Sequence, residues 1–254
     1  MQDSKKAIIA DKMNRLALLD FDGTLRSGNI SIELMSYLRR EDLYPTRIYD
    51  ELSSVMDRRS RGLLSYDDSS IICGELWAKA VKGMRRTDLL GHTADFFKRS
   101  KKKIYKSSYE LVSLLIKDGY KPIVLSVGAH EIVSMASKEL GVSEVYATEV
   151  EIKNGVYTGR LKNRLCMPDG KLEIIKRFSK TANLSDSFAF GDSIADSRML
   201  EIAGIPVALN PSRALTLAAK EKGWRILNHK NVVSEVEKML VRDQIISNAS
   251  NLSL

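Results

Sequence analysis

Two carboxylates separated by a single residue, Asp20 and Asp22 of Asp20-Phe21-Asp22-Gly23-Thr24, follow the apolar run Leu16-Ala17-Leu18-Leu19. An apolar run cut short by glycine reads as a buried strand of a parallel sheet that ends in a tight turn. Alternate residues of an extended segment point the same way, so Asp20 and Asp22 are expected to face one site while Phe21 turns back into the core. Clustered carboxylates repel unless a cation or a shared proton lies between them. Taken alone, the pentapeptide reads equally as a strand-ending turn, because Asp and Gly are common turn residues.

A second acidic pair stands in Phe190-Gly191-Asp192-Ser193-Ile194-Ala195-Asp196, again after an apolar run. A helix starting at Ser193 would put Asp192 near its positive end and Asp196 in its first turn. Asp20, Asp22 and Asp192 then make an all-oxygen set that suits Mg²⁺, and no His or Cys cluster competes for zinc. A phosphate beside such a metal needs further counter-charge. Ser126 ends an apolar run and precedes Gly128, offering a hydroxyl and free backbone N–H groups at a helix start. Lys171 follows Pro168-Asp169-Gly170 at the beginning of another helix. Singly, Ser126 is a capping serine and Lys171 a surface lysine. Together with the acids, each after a strand or at a helix start, they point to phosphate chemistry.

The elements that must position these residues follow from periodicity. Residues 31–99 lose strand character and place apolar residues at helical spacing, as in Ile32, Met35 and Leu38 and again in Ile72, Leu76, Ala80 and Met84,. Pro45 and Gly62 punctuate the region, which predicts three to five helices,. From residue 106 helix and strand alternate: helix 109–117, strand 122–125 ending at Ser126, helix 130–140, strand 145–148, helix 171–179, strand 188–190, helix 197–203, and strands 206–209 and 224–227. Residues 149–161 read as a hairpin about Asn154-Gly155,. Repeated βα units imply an α/β fold, a parallel sheet with helices on both faces. Residues 13–27 and 101–230 are expected to form this core, 28–100 an inserted helical cap over Asp20 and Asp22, and 231–254 a C-terminal helix and a Ser/Asn-rich tail that frays from 247,.

The 254 residues, 44% hydrophobic and 28% charged, suit a soluble globular chain with one large domain or a core and a modest second one,. No apolar run approaches the roughly 18 residues that span a bilayer. Residues 1–12 are too polar for a signal segment, and Cys73 and Cys166 give no disulfide framework, so a cytoplasmic protein without membrane insertion is expected,. The net charge of +8 and pI near 9.3 raise nucleic acid or anionic lipid as partners,. The densest basic run, 98–106, reads as a solvated connection or helix end, and no aromatic-rich strand accompanies it,. Those partners are therefore disfavoured against a small phosphorylated metabolite.

Asp20-Phe21-Asp22-Gly23-Thr24, Ser126, Lys171 and Gly191-Asp192-Ser193-Ile194-Ala195-Asp196 resemble, in order and spacing, the four motifs of the haloacid dehalogenase-like hydrolases. The hairpin stretch from Tyr146 to Leu161 is similar to the phosphoserine-phosphatase-like subfamily, often called IB. The resemblance runs from Arg15 to about Leu227 and implies a Rossmann-like core with a helical cap inserted after the first motif. It makes Asp20 the nucleophile that forms an aspartyl-phosphate, and Asp22 the general acid and then the general base. It implies Mg²⁺ held by Asp20, the backbone carbonyl of Asp22 and Asp192, with Ser126 and Lys171 on the phosphoryl oxygens. Asp196 would orient Lys171 or a metal-bound water, and Thr24 would stabilise the turn or sit beside the phosphate.

Departures from the family pattern bear on the substrate. Dehalogenases lack an acid at the position of Asp22, and the related ion pumps need membrane helices. Phosphoserine phosphatases usually carry a Glu nine residues after the nucleophile to hold the substrate amine; that position is Asn29 here, with Glu33 one turn further on the same helical face,. Val127 follows Ser126 where small residues are usual, and is expected to pack backward. Arg58, Arg59, Arg61, Arg85 and Arg86 offer cap cations for a second anionic group, one or two of them facing the site. His92, His130 and His229 have no ligand spacing and read as surface residues. The expected function is a Mg²⁺-dependent phosphatase acting on a small phosphate monoester. The alternatives are a phosphotransferase of the same superfamily, or a non-catalytic polyanion-binding protein.

Overall fold

The computed structural model describes residues 15–163, 165–167 and 169–251. The polar segment 1–12, residues 13–14 of the expected core, Pro168 and the last three residues of the tail lie outside the described residues.

Four consecutive apolar residues make Leu16–Leu19 (β1) a strand buried on both faces,. The next helix, α1 (Ile30–Arg40), starts where the Asn29 side chain accepts the Ile32 N–H at 3.0 Å, satisfying a donor the helix itself leaves free,. Three more helices follow, α2 (Thr46–Ser60), α3 (Tyr66–Val81) and α4 (Arg86–Ser100), within the expected range. α5 (Lys106–Lys117), β2 (Lys121–Ala129), α6 (His130–Glu139) and β3 (Glu144–Thr148) then alternate. β4 (Val150–Lys153) and β5 (Val156–Leu161) pair antiparallel about Asn154 (φ 50°) and Gly155 (φ 78°), the two positive angles that a tight two-residue hairpin turn requires,. The chain ends with α7 (Gly170–Phe178), β6 (Phe188–Gly191), α8 (Ser197–Ile202), β7 (Ile205–Leu209), α9 (Arg213–Glu221), β8 (Arg225–Leu227) and α10 (Val232–Asn251).

Two boundaries differ from expectation. β2 continues through Ser126 to Ala129, because the chain keeps pairing with β3 beyond a register irregularity and Ala129 still opposes Thr148. The tail expected to fray from residue 247 is helical to Asn251.

The six-stranded sheet is wholly parallel, in the order β3-β2-β1-β6-β7-β8. Its alternation divides two apolar layers. Ala17, Leu19, Val124, Phe190 and Val207 pack on one face with Leu111, Ile132 and Val236 of α5, α6 and α10. Leu16, Leu18, Leu125, Ala189 and Ala208 pack on the other with Ile175, Leu200 and Leu215 of α7, α8 and α9. Helices thus cover both faces, the doubly wound arrangement that parallel sheets need.

The helices α1–α4 form the inserted cap, and Leu34, Leu52, Trp77 and Phe96 join the first apolar layer without a break. The hairpin fastens the cap by its backbone: Gly83 N–H to Tyr157 O (2.9 Å), Tyr157 N–H to Met84 O (3.0 Å) and Arg86 N–H to Gly155 O (2.8 Å). The basic run 98–106 spans the end of α4, a short turn and the start of α5. Its lysines 98, 101, 103 and 106 pair with Asp95, Glu139, Glu33 and Glu110, as a solvated connection does.

Candidate active site

β1 lies between β2 and β6, so the segments leaving their carboxyl ends converge, at the edge where α/β sheets place ligands,. Asp20 leaves β1 with its N–H on Phe190 O at 3.0 Å. Lys171, on the first turn of α7, donates to Asp20 Oδ1 at 2.5 Å and to Asp196 Oδ1 at 2.7 Å. Thr24 donates to Asp20 Oδ2 (3.1 Å) and reaches Asp192 Oδ1 at 3.4 Å. Ser193 does begin a helical turn, and Asp196 closes its capping box: Asp196 Oδ2 accepts from the Ser193 N–H and hydroxyl, both at 3.0 Å,.

Asp20, Asp192 and Asp196 each present an oxygen within 4.8 Å of the others. Burial raises Asp20 well above the usual carboxylate range, with Asp196 adding to it and Lys171 opposing it. Burial and then Asp196 push Asp192 up to about 7. Burial alone would lower Lys171, but Asp196 and Asp20 overcome it, so the ammonium is held protonated,. One lysine among three acids, two buried and one half-buried, leaves the cluster short of positive charge, and its donors are all oxygens. A hard divalent cation such as Mg²⁺ fits that deficit. Asp20 and Asp196 each have both oxygens engaged, by Lys171 with Thr24 or with Ser193, whereas among the described residues Asp192 is met only by Thr24 at 3.4 Å and is the carboxylate most open to it.

Asp22 is held separately. Its Oδ1 accepts the N–H of Ile30, the first residue of α1, at 2.8 Å and faces Arg26 Nη1 at 3.3 Å. Burial raises its carboxyl to about 6 against the pull of both partners. The carboxylate is outside the acidic trio, so only its backbone carbonyl is left as the expected metal ligand. Gly23 between them is at φ 88°, and a Cβ there would overlap the Asp192 carboxylate. Gly23→Ala is therefore expected to lower the thermal midpoint by several °C and to weaken Mg²⁺-induced stabilisation, both readable by calorimetry.

These shifts set a pH dependence of stability. The unfolded chain releases these protons near the ordinary carboxylate pKa, while the fold retains them at Asp22 to about 6 and at Asp192 to about 7. The native state binds more protons across that window, so metal-free protein is expected to lose stability as pH rises through it. A divalent cation replaces those protons. Thermal melts should therefore show a larger Mg²⁺ stabilisation at about pH 7.5 than at about pH 5. Equal shifts at both would show that the acids do not hold the metal.

Several sequence expectations need correction. Thr24 is fully buried with its hydroxyl on the two acids, so it orients carboxylates and is not open to a phosphate. Ser126 lines the cavity, but its hydroxyl takes the Gly128 N–H (3.1 Å) and Ser31 takes that of Ala129 (2.8 Å), so neither amide is free. Val127, half-buried within β2, is among the residues that line the cavity. Glu33 does not line the cavity: the buried Arg26 guanidinium (2.9 Å) and Lys103 (3.0 Å) draw its carboxylate behind the Gly28 turn. Asn29 lines it, with its side-chain oxygen committed to the cap of α1. His229 is half-buried, stacked 3.6 Å from the Tyr105 ring with Nδ1 near Ser107 Oγ.

A cavity of about 320 Å³ opens over Asp20, Asp22, Asp192 and Ser126 beneath the cap. Arg59 alone of the five cap arginines lines it, with its guanidinium 4.4 Å from the Tyr66 ring. Tyr66, unforeseen from the sequence, carries a phenol raised by burial, within electrostatic reach of Lys171 and Asp20. Arg26 was missed too, although its place four residues after Asp22 was a visible signal,. No signal marked Tyr66, whose role depends on how α3 crosses the sheet edge.

A family model for haloacid dehalogenase-like hydrolases matches residues 17–201. Phosphoserine phosphatase of Archaeoglobus fulgidus is 28% identical over 209 residues, covering 81% of this chain and 55% of that protein. The chain thus spans little more than half of that relative's length. Phosphoserine phosphatase of Streptococcus thermophilus is 27% identical over 76% of this chain and 82% of its own. A Bordetella pertussis protein of unknown function superposes with a TM-score of 0.73, at 23% identity over 85% of this chain and 99% of that one. A phospho-aspartyl intermediate analogue of phosphoserine phosphatase superposes at 0.64, at 24% identity over 89% and 98%. At those identities the two structures bear on the fold alone. Among the described residues no helix is long and apolar enough to cross a membrane.

Proposed function

We propose, from the premise that this chain belongs to the haloacid dehalogenase-like hydrolases and is phosphoserine-phosphatase-like within them, that it is a phosphatase cleaving a small phosphate monoester through an aspartyl-phosphate. The observation that carries this reading is the contact of Lys171 with both Asp20 and Asp196, where Asp20 itself lines the cavity under the cap. A lysine held there neutralises the approach of a phosphoryl group to a carboxylate that would otherwise repel it.

Asp20 attacks phosphorus through a carboxylate oxygen, and Thr24 and Lys171 hold that carboxylate in one orientation,. Asp22, tied to the start of α1, gives its proton to the leaving alkoxide and then takes one from the water that cleaves the acyl phosphate,. Ser126 and Lys171 donate to the phosphoryl oxygens as negative charge shifts during transfer. Asp20, the Asp22 carbonyl and Asp192 would hold Mg²⁺, which when bound shields the nucleophile from the phosphate charge and polarises the phosphoryl group. The cap excludes bulk water and large esters, and Arg59 meets any second anionic group of the substrate,.

Purified protein is expected to release inorganic phosphate from p-nitrophenyl phosphate and from a panel of metabolite esters with Mg²⁺, and to stop when EDTA removes the metal. Absence of phosphate release across such a panel, from protein that melts cooperatively, would sink the proposal. The same assay with added glycerol separates hydrolysis from phosphotransfer, since a transferase would yield glycerol phosphate.

A further inference from the structure

We infer that the cavity is built for a phosphate monoester whose organic part is apolar and carries no amine, an inference that rests on the phosphatase reading above. Ile32, Met35, Met56 and Trp77 of the cap line the cavity together with Val127. Such a wall takes apolar surface out of water and brings no carboxylate to an ammonium group,.

Counter-charge for an amine is missing as well. Among the described residues the carboxylates lining the cavity are Asp20, Asp22 and Asp192, all at the strand ends and all given to the chemistry. Glu33, the acid nearest the position that would face an amine, is held elsewhere by Arg26 and Lys103. Asn29 brings no charge, and its oxygen is spent on the Ile32 N–H.

The cap side of the cavity carries donors instead. Arg59 is half-buried and has no ion-pair partner among the described residues. That cation favours an oxygen acceptor on the ligand and repels an ammonium group,. An apolar body such as an aryl or branched alkyl group covers the wall and brings no positive charge to Arg59,. An amino-acid phosphate leaves its ammonium beside an arginine.

Three esters test this with wild-type protein and Mg²⁺: O-phospho-L-serine, its match lacking only the amine (3-phosphooxypropionate), and benzyl phosphate. Removing the amine and replacing the whole amino-acid part by benzyl are each expected to raise kcat/KM over O-phospho-L-serine by at least about tenfold. Calorimetric titration of the same esters into Asp20→Asn protein with Mg²⁺ should rank them identically without turnover. O-phospho-L-serine equal to or better than its amine-free match, in turnover or in binding, overturns the inference and leaves the phosphatase reading standing. Preferential binding of benzyl phosphate with no phosphate released from any ester supports the cavity's selectivity and overturns the phosphatase reading. Binding of none overturns the inference. Met56→Gln supplies a control independent of folding yield, because the benzyl phosphate to 3-phosphooxypropionate ratio is measured within one preparation. That ratio is expected to fall about tenfold, and an unchanged ratio would mean that the apolar wall does not read the substrate.

Discussion

Asp20→Asn is expected to abolish phosphate release, lowering kcat by at least about 10⁴-fold while leaving the fold intact. Asparagine keeps the shape of the side chain and an oxygen for the Thr24 hydroxyl, and Lys171 keeps Asp196 as its partner. What is lost is the charged oxygen that attacks phosphorus, together with one carboxylate of the proposed metal site. Rapid-quench mass spectrometry of wild-type protein should detect a phosphoryl adduct on the peptide containing Asp20, absent from the variant. A variant retaining activity within tenfold of wild type would remove Asp20 from the chemistry.

Asp22→Asn should cost about 10²–10⁴-fold, and unequally among substrates. An alkoxide leaving group needs a proton, whereas p-nitrophenolate leaves without one, so alkyl esters should lose more than aryl esters. The variant should also accumulate the phosphoryl adduct from p-nitrophenyl phosphate, because the same carboxylate serves the hydrolytic step as base. Burial holds the Asp22 carboxyl up at about 6, above its ordinary value. As the acid it must be protonated, so the alkyl-ester rate should decline as pH rises through its pKa, and the variant should lack that limb. Equal losses for both ester types would place the proton transfer on another group.

The residues legible in the sequence were those whose place is set by short-range rules. Asp20 and Asp192 each follow an apolar run that could only be a buried strand, and the strand-end rule puts both at one edge,. Asn154-Gly155 announced its hairpin through backbone angles that few other residues adopt. Tyr66 and Trp77 were illegible because helical periodicity states which face is apolar, not whether that face meets a core or a cavity,. Glu33 misled for a related reason. Its spacing set it near Asn29, but a fully buried arginine 2.9 Å away outbids a cavity for a carboxylate,. β2 outran its expected end because pairing with β3 is a long-range interaction, invisible in the local pattern of Ser126-Val127-Gly128.

The three backbone hydrogen bonds between the hairpin and the α3–α4 link make the lid a flap hemmed along one side. Lifting that side would strand the amides of Gly83, Arg86 and Tyr157 away from their acceptors, so the seam ties the cap to the core independently of side-chain packing,. A substitution in the apolar layer can loosen the cap there only after these main-chain bonds have broken,.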